Sequence, residues 1–273
     1  MGSQTVDYLL PDESRMSGEP IVFISGSSST GLWSEARYYA RLGRPVMVIR
    51  PIPHLSKPCL NNLDTAFIEP AITKFLTESS LSANRVTIVG FSVGGTAAML
   101  FQPSKDFIAI KRIAISPTTF HFNGSSGPAC LLPGKYWKAH PKHQTFYRQN
   151  LPGLIDFLKF KARHFDQRDV IMKTLSSISE TEKESIELFS ELTSDLDVFW
   201  GSDDDQVPTE EMHRRLCSEE KANSGKCKLF LGAGHTLLYL PLYSSCYPHK
   251  LEFADNFTAT RNAQIEIKNA ILN

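Results

Sequence analysis

No charge of either sign dominates this sequence: 29 Lys and Arg balance 29 Asp and Glu. Without a net field, nothing global steers the chain toward nucleic acid or an anionic membrane. Cysteine is sparse. Cys59, Cys130, Cys217, Cys227 and Cys246 make an odd set with no pairing rhythm, which argues against a disulfide framework. Neither Cys-x-x-Cys nor His-Glu-x-x-His occurs, so no zinc site is signalled and no metal is expected. No apolar run approaches the ~20 residues that span a bilayer. The first residues carry neither the basic nor the apolar region of a secretory signal. The expectation is therefore a reducing, cytoplasmic setting with no membrane span.

What remains is an ordinary globular composition, 41% hydrophobic and 21% charged over 273 residues. A chain of this length buries about three quarters of its unfolded surface and needs no staple. Continuous apolar runs at 21–25, 45–50, 85–90, 112–116, 196–201 and 228–232 read as buried strands. Helical spacing fills about 31–42, 63–79, 93–102, 208–222 and 257–272. Gly43 suits the C′ position of the first helix. Pro70 should kink the second or begin a new one. The alternation implies an α/β fold, a mostly parallel sheet with helices on both faces. The rhythm breaks at 117–195, which is too long for a plain connection. That segment, with helices expected at about 153–166 and 180–192, reads as a lid inserted into a core of 1–116 and 196–273.

Gly90-Phe91-Ser92-Val93-Gly94 follows the third of these strands and opens a helix. A Gly-x-Ser-x-Gly turn in that context forces its serine into strained φ/ψ and lifts the hydroxyl clear at a helix N-terminus. Small residues are required on either side, and Gly90 and Gly94 meet that need. Serine is a poor nucleophile without an adjacent base. Gly232-Ala233-Gly234-His235 follows the last strand, and a histidine in a glycine loop there can reach over the sheet edge. The other histidines lie in loops or charged stretches. Among them, His121 begins the insertion and is a candidate substrate contact.

These motifs make the chain resemble the α/β-hydrolase superfamily from about residue 20 to 273. That resemblance implies the chain order serine, acid, histidine, with a catalytic triad and no cofactor. Gly201-Ser202-Asp203-Asp204-Asp205-Gln206-Val207-Pro208 looks like the hydrolase acid loop, and its register selects Asp204, with Asp203 and Asp205 as rivals. The oxyanion hole implied is the N–H of Val93 and one from the loop after the first strand, assigned to Ser27. Expected substrate contacts are Gly26, Ser28, Phe91, His121, Trp137 and Leu237.

Within the superfamily, the chain is similar to the catalytic C-terminal domain of acyl-CoA thioesterases and bile acid-CoA:amino acid N-acyltransferases. The likeness rests on Gly201-Ser202-Asp203-Asp204, on Ala233-Gly234-His235 followed by Tyr239-Leu240-Pro241-Leu242-Tyr243 and Cys246, and on Asn262-Ala263-Gln264. The double proline of that family is missing after the histidine, and too few residues precede the first strand for its β-sandwich. Residues 121–170 carry eight Lys and Arg against three Asp, interleaved with aromatics, while 180–210 carry eleven Asp and Glu against one Lys. A cationic, aromatic lid suits a phosphate-bearing thioester carrier. The same pattern also describes a solvated helix face. The expected function is a serine acyl hydrolase acting on a small-molecule acyl thioester. Alternatives are an oxygen-ester carboxylesterase, an acyltransferase, or a non-catalytic binding protein on this fold. No nucleic-acid partner is expected, and oligomeric state is not legible.

Overall fold

The computed structural model describes residues 5–26, 32–51, 63–120, 124–126, 132–134, 167–176, 179, 193–217, 226–235, 237 and 254–273. The strands are β1 (Thr5–Leu9), β2 (Ile21–Ile24), β3 (Val46–Arg50), β4 (Arg85–Phe91), β5 (Ala109–Ile115), β6 (Gly124–Ser126), β7 (Leu132–Gly134), β8 (Leu196–Gly201) and β9 (Cys227–Phe230). The helices are α1 (Trp33–Arg41), α2 (Ile68–Glu78), α3 (Val93–Leu100), α4 (Gln167–Ser176), α5 (Thr209–Leu216) and α6 (Ala254–Leu272). Seven strands form one sheet in the order β1-β3-β2-β4-β5-β8-β9. Every pairing in it is parallel except β1 with β3. Strands β6 and β7 pair separately as an antiparallel hairpin.

Alternation along each strand sends side chains to two apolar layers. Ile21, Phe23, Val89, Ile113 and Phe199 pack under α1 and α6, where Ala36, Tyr39, Ala263, Ile267 and Ile271 are buried. Val22, Ile24, Met47 and Ile88 face α2 and α3 through Ile68, Ile72, Phe75 and Ala97. Ala114, Val198 and Trp200 meet Met99, Ile171, Leu175 and Met212, so α3, α4 and α5 continue that second layer. Trp200 is fully buried, and its indole N–H donates to the Pro117 carbonyl at 3.0 Å.

Several expectations change in detail. Strand β1 has no counterpart in the sequence reading. It is a half-exposed edge strand, with Tyr8 against Phe75 (ring centroids 5.0 Å apart) and Asp7 paired to Arg50 at 2.6 Å. Pro70 sits in the first turn of α2, where its missing N–H costs nothing, so the helix starts at Ile68 and has no kink there. Gly43 closes α1 with φ +87°, and the N–H groups of Gly43 and Arg44 donate to Ala40 and Tyr39. Helix α4 was not anticipated; the helices expected at 153–166 and 180–192 lie outside the described residues. The cysteine reading is also corrected, since a disulfide joins Cys217 to Cys227. The end of α5 and the start of β9 meet because β8 and β9 are sheet neighbours. No helix among the described residues is long and apolar enough to cross a membrane.

Arg112 anchors the sheet at the strand ends opposite the serine turn, where β5 meets the start of β8. Its buried guanidinium grips Asp195 with two hydrogen bonds, at 2.7 and 2.9 Å, and donates to the Phe101 carbonyl at 2.7 Å and to Met99 at 3.3 Å. It thereby joins β5, the end of α3 and the approach to β8. Burial raises the pKa of Asp195, but the Arg112 and Thr193 hydrogen bonds outweigh it and hold the carboxyl below its usual value. Arg112→Met is expected to cost about 2–3 kcal/mol, because it strands buried carbonyls and a half-buried carboxylate. Urea unfolding reads this directly, and an unchanged midpoint would contradict the anchoring role.

Candidate active site

Strand β4 ends at Phe91 and α3 begins at Val93, so Ser92 alone makes the turn, at φ 53° and ψ −117°. The turn closes only without side chains on either flank. A Cβ on Gly90 would stand 2.0 Å from the Gly94 carbonyl oxygen, and one on Gly94 would stand 2.0 Å from that of Ile24. Gly94→Ala should therefore force α3 off β2 and cost about 3 kcal/mol. Gly234→Ala, whose nearest contact would be 4.0 Å away, is the stability control expected to stay near neutral. Thermal unfolding of the two variants decides the point, and equal losses would contradict it. The Ser92 hydroxyl makes no capping bond to the helix. The main chain is held at both ends: Ser92 N–H donates to Ile115, and Thr96 N–H donates to the Ser92 carbonyl. This strained strand–serine–helix turn sits in the middle of a mostly parallel sheet whose helices cover both faces.

The chain has the α/β-hydrolase fold.

The loops after β8 and β9 bring an acid and a histidine to the same strand ends. His235 Nδ1 lies 2.6 Å from Asp204 Oδ2. Asp204 is fully buried and His235 is 6% exposed, so the pair is shielded from water. The other carboxylate oxygen, Oδ1, accepts N–H bonds from Gln206 at 2.8 Å and Val207 at 3.0 Å. Both oxygens are thus occupied and the carboxylate cannot rotate freely. With Nδ1–H given to Asp204, Nε2 is left carrying the lone pair. Asp203 and Asp205 are exposed. Asp203 accepts from the Ser202 hydroxyl, and the Asp205 carbonyl accepts from Arg168 N–H.

The two loops brace each other. Ser202 Oγ accepts from Gly232 N–H at 2.8 Å, and Asp203 N–H donates to Ala233 at 2.9 Å. A side chain on Gly201 would meet the Ala233 carbonyl oxygen at 2.1 Å, so this approach requires glycine there. Thr209 Oγ1 donates to the Gly201 carbonyl at 2.6 Å and turns the chain into α5.

Ser116 ties this assembly to Ser92. It ends β5 at φ 47°, and its hydroxyl donates to the His235 carbonyl at 3.1 Å. Its neighbour Ile115 accepts the Ser92 N–H. Two hydrogen bonds through adjacent residues therefore connect the serine turn to the histidine loop. Sequence reasoning missed Ser116, because its positive φ has no signal in a serine before a proline. It also missed the role of Arg168, counted above with the cations of the insertion. The structure puts the Arg168 guanidinium on the acid loop, 3.3 Å from the Ser202 carbonyl oxygen and 3.5 Å from that of Asp204.

Of the expected contacts, Gly26 lies beside the serine. A Cβ there would stand 3.2 Å from Ser92 Cβ and 3.3 Å from the Phe91 ring. Phe91 is buried, and its ring centroid is 5.1 Å from that of His235, at an interplanar angle of 54°. Leu237 is fully buried in the same apolar cluster, so both side chains pack the core behind the imidazole. Val93 occupies the first position of α3, whose opening amides have no partner within the helix. Ser27, Ser28, His121 and Trp137 lie outside the described residues. Among the described residues, no hydrogen bond joins the Ser92 hydroxyl to His235.

No protein-family model and no curated protein matches the sequence. Solved structures do. The chain is similar to an α/β-hydrolase enzyme from a sediment metagenome of the Mar Chica lagoon, Morocco, at 15% identity and TM-score 0.42, covering 93% of this chain and 97% of that one. It is similar to Thermogutta terrifontis esterase 2, phosphonylated by sarin, at 17% identity and TM-score 0.49, covering 93% and 88%. Est1E from Butyrivibrio proteoclasticus aligns at 15% identity and TM-score 0.40, covering 96% and 93%.

Proposed function

We propose that this chain is a serine acyl hydrolase in which Ser92 is the nucleophile, His235 the general base and Asp204 the residue that orients it. The observation that carries the reading is the buried 2.6 Å Asp204–His235 pair, on the same sheet edge as a strained serine whose hydroxyl makes no capping bond. Asp204 holds Nδ1–H, so Nε2 accepts the Ser92 proton as Oγ attacks the acyl carbonyl carbon. The oxyanion is received by the N–H groups of Val93 and Ser27. Nε2–H then protonates the departing alkoxide or thiolate. Water, activated by the same nitrogen, releases the acid from Ser92. Hydrogen bonds between a nucleophile and its base are often long in the free enzyme and tighten once substrate is seated. The chemistry calls for no cofactor.

The substrate is a small-molecule acyl ester, and we assign it to the thioester class. The support for the thioester is the sequence of the insertion ahead of α4: Lys135, Lys138, Lys142 and Lys159 stand among Tyr136, Trp137 and Phe146. Those groups suit the phosphates and ring of a carrier such as coenzyme A. The test is kcat/KM over a panel of acyl-CoA thioesters and matched oxygen esters. The thioester should lead by about tenfold or more. A lead for the oxygen ester makes the protein a carboxylesterase. Turnover that rises only with an added amine makes it an acyltransferase.

A further inference from the structure

Cys217, His213 and Cys227 form a cluster that the proposed mechanism does not use. Cys217 caps the C-terminus of α5, Cys227 opens β9, and a disulfide joins them across ten residues of sequence. Their Cα atoms are 5.9 Å apart, a separation a disulfide spans without moving the backbone. His213, one helical turn before Cys217, brings its imidazole within 4.8 Å of both sulfurs. The ring donates to the Cys227 carbonyl and stands edge-on to Trp200, with centroids 6.1 Å apart. Burial lowers the His213 pKa by more than that carbonyl raises it, so the imidazole is neutral near pH 7. The two sulfur-bearing residues differ in access: Cys227 is 1% exposed within the apolar cluster of Val198 and Trp200, whereas Cys217 is half-buried.

We propose that Cys217–Cys227 is a reversible thiol–disulfide exchange site in which Cys217 receives the incoming thiolate and Cys227 is the leaving sulfur. Exchange needs approach along the S–S axis to one sulfur, and the difference in burial selects Cys217. The thiolate of a glutathione-class thiol forms a bond to Cys217 Sγ as the bond to Cys227 Sγ breaks. Cys227 departs as thiolate and takes up, through water, the proton the attacking thiol has lost. A second thiol attacks the mixed disulfide, leaves with the first as their disulfide, and frees Cys217. Two thiols thus supply two electrons and two protons. The bond ties the end of the helix after the Asp204 loop to the start of the strand before the His235 loop. Its opening should therefore raise amide hydrogen exchange at the end of α5 and in β9.

The full-length protein is equilibrated in glutathione buffers from fully oxidised to fully reduced, quenched in acid, alkylated and mapped by mass spectrometry. The expected result is one two-electron transition of the Cys217–Cys227 peptide, reached from both directions. Single variants then identify the attacked sulfur. With oxidised glutathione, from which one glutathione leaves as thiolate, Cys227→Ser should form the mixed disulfide on Cys217 about tenfold faster than Cys217→Ser forms it on Cys227, since access governs the rate. Equal trapping at both sites would overturn the assignment. So would a pair that stays reduced, or stays oxidised, at every glutathione ratio. One equivalent of zinc, held by the two thiols and lost in His213→Ala, would also overturn it and make the cluster a metal site. None of these readouts depends on ester hydrolysis, so they stand or fall apart from the role given to Ser92.

Discussion

Ser92→Ala is expected to lower kcat for a p-nitrophenyl ester or an acyl-CoA by roughly 10⁴–10⁶-fold, with the fold unchanged. The size of the effect follows from covalent catalysis: without Oγ no acyl-enzyme forms, and only binding and oxyanion contacts remain. The structural cost should be small. The hydroxyl makes no capping bond, and alanine tolerates φ 53° no better and no worse than serine. Thermal unfolding of the variant should match the parent, with a difference within about 0.5 kcal/mol. A variant that hydrolyses at the parental rate removes Ser92 from the chemistry. A variant that loses activity only because it unfolds is recognised by its shifted midpoint.

Asp204→Asn should be nearly as damaging, lowering kcat by about 10⁴-fold. The amide is close to the carboxylate in shape, so the effect lies in one proton. The Asn carbonyl oxygen takes over the N–H bonds from Gln206 and Val207. Its NH₂ group then faces Nδ1 of His235, which must accept rather than donate. The imidazole flips to the tautomer with hydrogen on Nε2 and cannot take the serine proton. Asp203→Asn and Asp205→Asn, both at exposed positions, should leave kcat within about twofold, as surface substitutions ordinarily do. Equal losses at all three positions would mean that the acid loop acts by its total charge and not through one carboxylate.

The fold was legible where burial is complete. Strands covered on both faces read as unbroken apolar runs, which is why β2, β3, β4, β5, β8 and β9 were anticipated to within a few residues. Strand β1 escaped notice because an edge strand alternates, and Thr5–Leu9 resembles an ordinary polar terminus. Around Ser92 the glycines were informative, since backbone contacts near 2 Å leave no alternative residue. The supporting contacts were not legible. Ser116 acts through a left-handed backbone conformation, and Arg168 acts across 34 residues of sequence on carbonyls that any loop possesses. The cysteine pair was hidden for a similar reason: sequence spacing does not reveal that α5 returns to β9. Helix α4 was masked by a segment read as one insertion, yet Ile171 and Leu175 are core residues.

The most direct test of the account is covalent. The protein is treated with a fluorophosphonate, digested and mapped by mass spectrometry. One adduct is expected, on Ser92, and it should be absent in Ser92→Ala and strongly slowed in His235→Ala. A protein that hydrolyses esters while Ser92 stays unlabelled, or that carries its adduct on another residue, would contradict the assignment of Ser92 as nucleophile.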